Sequence, residues 1–93
     1  VVLHGRIVEM GALRHTPAGI ALQRFTLRHT SDQIEAGVKR RVLCEIEVVG
    51  LAGTAQQAAR LKRDDEVAVE GFLARESARS AKLVLHINKL KSI

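Results

Sequence analysis

The chain has 93 residues, enough for one domain, with 46% hydrophobic and 27% charged residues. No apolar run reaches the roughly 20 residues that cross a bilayer, and a single cysteine, Cys44, excludes an internal disulfide. We therefore expect one domain over residues 1–93, located in the cytoplasm. The 15 Lys and Arg exceed the 10 Asp and Glu, and this net charge of +5 favours a polyanionic partner such as DNA, RNA or an acidic protein surface.

The first strand is predicted over Val1–Val8, a β-branched and aliphatic run interrupted by Gly5. Glycine has no Cβ and allows close backbone approach, so this strand is expected to bend and to pair with one neighbour before the bend and another after it. Pro17-Ala18-Gly19 predicts a turn. Ile20–His29 then alternates apolar and polar residues, which predicts a second strand.

The middle of the chain contains the clearest period-two pattern. Thr30–Gly37 has no strong periodicity and is predicted to be a mobile loop. Val38–Val49 follows as a long third strand whose inner face carries Val38, Val42, Cys44, Ile46 and Val48. Thr54–Leu61 is alanine-rich and predicts a short helix, with Thr54 as its N-cap.

Two more strands complete the chain. Glu66–Ala74 is predicted as the fourth strand, in which Gly71 repeats the role of Gly5, and Lys82–Ile93 as the fifth, with Leu83, Leu85 and Ile87 directed inward. Three strands, a short helix and two strands match an all-β, five-stranded OB-fold barrel. An SH3-like barrel would not explain a helix between strands three and four, and a ferredoxin-like fold would need two longer helices.

Several segments carry a family resemblance because they occur together, in order, over nearly the whole chain. They are VVLHGRIV at the start, TPAG at Thr16–Gly19, FTLRH at Phe25–His29, LCEIEVVG at Leu43–Gly50, VEGFL at Val69–Leu73 and KLVLH at Lys82–His86. As a set they resemble the primosomal replication protein N family, a bacterial replication-restart family related to single-stranded DNA-binding protein.

The resemblance implies a homodimeric OB-fold protein that binds single-stranded DNA and links the restart helicase to later loading factors of the primosome. No enzymatic activity and no cofactor are expected. The four histidines and Cys44 show no metal-binding spacing, and Cys44, predicted inside a strand, is assigned to packing. Glu45 and Glu47 share a strand face with no acid–base partner and are interpreted as a solubilising or partner-binding face.

Basic residues occur where an OB barrel exposes strands and loops, which predicts a phosphate-binding surface for a single strand. The resemblance implies Arg14, Leu43 and Lys82 most directly, with Arg75 and Arg79 as loop contacts. Leu43 stands where the family has a tryptophan and Thr30 where a relative has a basic residue, so binding should depend on charge more than on base stacking. The complete predicted set for single-stranded DNA is Arg14, Arg24, Arg28, Lys39, Arg41, Leu43, Arg75, Arg79, Lys82 and Lys89.

Three alternatives to this interpretation stay open. The basic residues could be ordinary surface charge, the domain could be a protein-interaction module with incidental nucleic-acid binding, or it could be an RNA-binding OB domain. The two aromatic residues are also treated separately: Phe25 is expected in the core, whereas Phe72 is left open between core packing and base stacking.

Overall fold

The structure is a computed structural model that describes residues 1–93 and contains six strands and one helix. The elements are β1 (Val2–Met10), β2 (Arg14–His15), β3 (Ala21–Glu35), β4 (Val38–Leu51), α1 (Gly53–Ala58), β5 (Glu66–Arg75) and β6 (Leu83–Ser92). No helix has the length and apolar character needed to span a bilayer.

Strand β1 closes the sheet on itself because its two halves have different neighbours. Val2–Arg6 pairs antiparallel with β5, and Arg6–Met10 pairs antiparallel with β3. The change of partner occurs beside Gly5, where an added Cβ would collide with the carbonyl group of Arg28. The predicted bend in the first strand is therefore confirmed, and its physical reason is the close approach of two backbones.

The strands form one closed barrel. Its order is β1-β5-β6-β4-β3, with β3 returning to β1, while the two-residue β2 adds to the edge of β3. β4 and β6 pair in parallel, and every other pairing is antiparallel. With α1 between β4 and β5, this is the predicted five-stranded OB-fold. The sequence did not predict β2, because two residues are too few to show a period.

The barrel interior is filled mainly by aliphatic side chains, as the shortage of aromatics requires. Phe25 is 2% exposed and belongs to the core, which confirms its predicted placement. Ala58 joins the same cluster from α1, so the helix closes one end of the barrel. The buried cluster consists of Ile7, Phe25, Leu27, Val48, Ala58, Val67, Val69, Leu85, Ile87 and Leu90.

The prediction of a mobile loop at Thr30–Gly37 is wrong. β3 and β4 pair without interruption from Leu22 opposite Leu51 to Glu35 opposite Val38, and the chain reverses at Ala36 and Gly37, both with positive φ. Backbone pairing to β4 supplies the order that side-chain periodicity does not reveal. We call this antiparallel pair, residues 21–51, the β3–β4 ribbon.

The far half of the ribbon extends beyond the barrel, which corrects part of the predicted inner face. Val38 and Cys44 are exposed and Val42 is half-buried, whereas Ile46 and Val48 pack against or within the core. Leu83, predicted inward on the last strand, is also exposed, as the first residue of β6 opposite Arg75. Alternation therefore gives the correct face but not where the barrel ends.

The helix is shorter than predicted and begins differently. It spans Gly53–Ala58, and the residue at its N-cap is Ala52, which has φ of 54° and makes no side-chain capping hydrogen bond. Thr54 is already inside the helix, so its predicted role as the N-cap is wrong. A helix of this length depends on its contacts with the barrel, where Ala55 and Ala58 are fully buried.

Replacing Gly71 with alanine should destabilise the barrel, because an added Cβ would collide with the carbonyl group of His86 on β6. The β5–β6 register shifts at Glu70/Gly71, so the two strands cannot separate there without losing ladder hydrogen bonds. We expect a loss of about 1–3 kcal/mol in the free energy of unfolding, measured by urea denaturation. Gly53→Ala is the control, since nothing lies within 4 Å of its added Cβ. Equal stability of the two variants would contradict the close-approach explanation.

Candidate nucleic-acid interface

Five of the ten predicted residues lie on one face of the β3–β4 ribbon. Side chains alternate across a strand, so Arg24 and Arg28 on β3 face away from the buried Phe25 and Leu27. The register places Arg24 opposite Val49 and Arg28 opposite Glu45, on the same face of β4. The members of this outer face from the predicted set are Arg24, Arg28, Lys39, Arg41 and Leu43.

A cleft lies over the barrel end of this face. One wall is the β1–β2 connection, and the other is the connection between β5 and β6, which carries Glu76 and Lys82. Arg14 reaches the same place because β2 pairs it with Leu22, a residue of the outer face. The cleft consists of two adjoining depressions of about 380 and 290 Å³ that share Gly11, Arg24 and Glu47.

Glu47 organises the charges of the cleft. Its carboxylate accepts a hydrogen bond from Arg24 Nη1 at 2.8 Å and forms an ion pair with Lys82 Nζ at 2.6 Å. Arg24 also lies 3.7 Å from the carboxylate of Glu76. Two of the predicted DNA contacts are therefore held together by one acidic residue, and the side chain of Glu47 is 22% exposed.

These contacts shift two pKa values in opposite directions. Hydrogen bonds from Lys82 and then Arg24 hold the pKa of Glu47 below its ordinary 4.5, and the hydrogen bond to Glu47 raises the pKa of Lys82 above 10.5. The contribution of Glu47 to stability is therefore present above pH 4.5 and lost as pH falls through the lower folded value. The contribution of Lys82 to stability is present below pH 10.5 and is lost as the pH rises through its higher pKa in the folded state. Both groups stay charged at neutral pH.

Other predicted contacts are also paired with carboxylates. Arg28 donates from Nε and Nη2 to Glu45 Oε2, at 2.8 and 2.6 Å, and Arg41 Nε lies 3.6 Å from Asp32 Oδ1. These side chains are about half exposed or more, so solvent screens both pairs. Exposed ion pairs contribute little to stability, and a phosphate can replace the carboxylate at low cost.

Four predicted basic residues have no carboxylate within 4 Å: Arg14, Lys39, Arg75 and Arg79. All four are exposed. Arg14 lines the cleft, and Arg75 and Arg79 belong to the end of β5 and the connection that forms its second wall. Lys39 lies opposite Ile34, ten residues from Arg24 along the ribbon and so about 33 Å away.

Lys89 is the one predicted residue that the structure places elsewhere. Its Nζ lies 3.3 Å from Glu70 on β5, which is paired in turn with Val2 of β1. The next residue, Leu90, accepts a hydrogen bond from Gln57 of α1, so Lys89 is near the helix end of the barrel. The other nine predicted residues belong to the ribbon's outer face and its flanking elements.

Sequence reasoning missed the position of Glu47 between two cations, because that contact appears only when the β3–β4 register and the path of the β5–β6 connection are known. It also left Phe72 open. Phe72 is 57% exposed and its ring stacks on His86, whereas Leu43, 64% exposed, gives the ribbon an apolar but non-aromatic contact.

Comparison with known proteins agrees with this architecture. Residues 1–89 match the family described as "Another single-strand binding protein family". The replication restart protein PriB of Nitrosomonas europaea is 37% identical over 93 residues, covering 100% of this chain and 86% of the relative. The PriB of Bordetella pertussis is 40% identical over 91 residues, covering 98% of this chain and 85% of the relative.

The solved structure of the protein PriB from Ralstonia solanacearum superposes with a TM-score of 0.90 at 30% identity, covering 99% of this chain and 94% of that one. Sequence similarity, coverage and fold thus agree over the full length of the chain. The resemblance to a bacterial replication-restart family is confirmed, and the chain belongs to the family of replication restart protein PriB.

Proposed function

We propose that this chain is a non-enzymatic, cytoplasmic accessory protein of the replication-restart primosome that binds single-stranded DNA. The strand would lie on the outer face of the β3–β4 ribbon and in the cleft at its barrel end. The observation that carries this proposal is the position of the unpaired cations: Arg14 lines the cleft, Lys39 lies on the ribbon, and the end of β5 and the β5–β6 connection carry Arg75 and Arg79. Membership of the PriB family supports the replication-restart role.

The binding energy would come mainly from the phosphates. Four unpaired cations attract the backbone directly and release its condensed counterions, while the paired Arg24, Arg28 and Arg41 exchange a carboxylate for a phosphate. Leu43 adds apolar contact with a base but offers no π-face. Such a surface binds without strong base preference, as expected for a protein that acts on exposed single strands.

A homodimer forms part of the proposal. Only Arg6–Met10 of β1 pairs with β3, so Val2–Gly5 has a partner strand on one edge alone. Val1 and Val2, at the start of this segment, are 58% and 72% exposed. An exposed apolar strand edge is a template for pairing, and a second copy would satisfy it. A dimer would also present two DNA surfaces, which suits a protein that bridges the restart helicase and later loading factors.

The first test is the salt dependence of binding, measured by fluorescence anisotropy with a labelled single-stranded deoxyoligonucleotide. Contacts from the four unpaired cations give an expected log–log slope of about −2.8, at about −0.7 for each phosphate. Duplex DNA should bind more weakly, because the proposed contacts follow the backbone of one strand. A slope near zero would indicate a protein-interaction module instead. Tighter binding of the matching ribooligonucleotide would indicate an RNA-binding domain.

The second test removes cations from the proposed surface. Arg14→Ala combined with Lys82→Ala should weaken binding and reduce the magnitude of the salt slope by about 0.7, because Arg14 is one of the four unpaired cations whereas Lys82 is paired with Glu47. Both residues are exposed, so the melting temperature should change little. Arg60→Ala combined with Arg63→Ala is the control, because it removes the same charge from the α1–β5 connection. If both double variants lost the same affinity, the effect would come from net charge alone, and the assigned surface would be wrong.

The third test concerns Glu47, which holds Arg24 and Lys82 where a phosphate would bind. Glu47→Gln keeps the shape and the acceptor oxygen but removes the charge, so single-stranded DNA should bind several-fold tighter, with a slope steeper by about 0.7 per newly available contact. Glu35→Gln, which releases Arg40 on the opposite face of the ribbon, is the charge-matched control. Lowering the pH to about 6 should not reproduce the effect, because the pKa of Glu47 is lowered. Unchanged affinity in Glu47→Gln would place the phosphates elsewhere.

A further inference from the structure

An exposed aromatic pair lies on the barrel surface outside the β3–β4 ribbon. The rings of Phe72 on β5 and His86 on β6 are stacked, with centroids 5.3 Å apart and planes 6° apart. Phe72 is 57% exposed, so the face of its ring away from His86 is open to solvent. We call this pair the Phe72 platform. Phe72 is the one aromatic of the Phe, Trp and Tyr type outside the core, since Phe25 is buried.

The platform belongs to a row of cross-strand neighbours that begins at Arg24, a residue of the cleft. Arg24 on β3 lies opposite Val49 on β4, Val49 lies opposite His86 on β6, and His86 lies opposite Phe72 on β5. These four residues alternate with Phe25, Val48 and Leu85 of the core and so are directed away from the barrel interior, but Val49 is buried, at 3% exposed. Neighbouring strands are about 4.8 Å apart, so three strand spacings separate Phe72 from Arg24, about 14 Å along the curved wall of the barrel.

The platform is also connected to the cleft along β6. Lys82, which bonds Glu47, precedes His86 by four residues, about 13 Å in an extended chain. A strand held by its phosphates at Arg24 and Lys82 is therefore within a few nucleotides of Phe72. The acidic residue nearest along β5, Glu70, is paired with Lys89, so its charge is partly compensated.

From this geometry we infer that the Phe72 platform is a base-stacking subsite, in which a nucleobase of the bound single strand lies on the open face of Phe72. The inference rests on the proposed function and specifies where the strand leaves the cleft: from Lys82 along β6 to Phe72 on β5. A base has an apolar π-face that matches the exposed ring, and aromatic stacking tolerates any base sequence. The His86 ring fixes the orientation of Phe72 from its other side, so little side-chain entropy is lost on binding.

The subsite would supply the aromatic contact that Leu43 does not. Leu43 is exposed on the ribbon but has no π-face, so base stacking would depend on Phe72 while the phosphate contacts come from basic side chains elsewhere on the surface. Because different residues make the two kinds of contact, we expect that base contact and backbone contact can be removed separately.

The test uses the absence of tryptophan and tyrosine from the chain. Phe72→Trp introduces a single tryptophan, whose emission should be quenched when an oligothymidylate stacks on it, in step with the anisotropy change of the labelled oligonucleotide. Phe72→Leu should bind the oligothymidylate about fivefold or more weakly, since one base stack contributes at least about 1 kcal/mol. Both variants should bind an abasic oligonucleotide of the same length with the affinity of the unsubstituted chain, because that oligonucleotide has no bases to stack.

Ile93→Ala is the matched control, since it truncates an exposed apolar residue at the end of the chain beside His4 and Arg6. It should leave the affinity unchanged, and thermal melting of all variants checks that they fold. If the unsubstituted chain does not bind the oligonucleotide, the proposed function and the subsite are both wrong. If it binds while the Phe72→Trp emission stays constant, only the subsite is wrong. Emission that changes with protein concentration rather than with DNA would show that a second copy covers the platform, which also overturns the subsite.

Discussion

The uninterrupted backbone pairing of β3 with β4 is the constraint on which the rest of this structure depends. From Leu22 opposite Leu51 to Glu35 opposite Val38, one register decides which side chains enter the barrel and which face outward. A slip of one residue would exchange the two faces, placing Arg24 in the core and Phe25 in solvent. The burial of Phe25, Leu27 and Val48 therefore fixes the outward position of the basic residues.

Closure of the barrel depends on two glycines at which backbones meet. Gly5 lies against the carbonyl group of Arg28, and Gly71 lies against that of His86. The first lets β1 change partners from β5 to β3, and the second accompanies the register shift between β5 and β6. Because β5 and β6 are held in this shifted register, Phe72 lies opposite His86 and next to the row that begins at Arg24. Backbone contact at Gly71 thus fixes the positions of Phe72 and His86 relative to each other.

The charge of the interface is more balanced than the net charge of +5 suggests. Glu47, Glu45 and Asp32 neutralise cations on the ribbon, and Glu76 lies near Arg24 in the cleft. Acidic partners hold the long basic side chains in defined positions while water keeps the pairs easy to exchange. The cations of this surface that have no carboxylate within 4 Å are Arg14, Lys39, Arg75 and Arg79.

The sequence by itself determined the all-β class, the bent first strand, the short helix and the identity of most core positions, because apolar alternation and glycine placement are local properties of the chain. It also carried the family resemblance, through segments such as VEGFL and KLVLH. It did not determine the extension of β3 through Thr30–Glu35, whose order comes from pairing with β4.

Only the tertiary structure decided which cations are paired, since Glu47 meets Lys82 across 35 positions of sequence and Lys89 on β6 pairs with Glu70 on β5. It also decided that Phe72 is exposed, because that depends on where the barrel wall ends and not on the residues beside it in the chain. The alternation of residues along a strand specifies which side chains share a face, whereas contacts between strands distant in sequence specify what that face packs against.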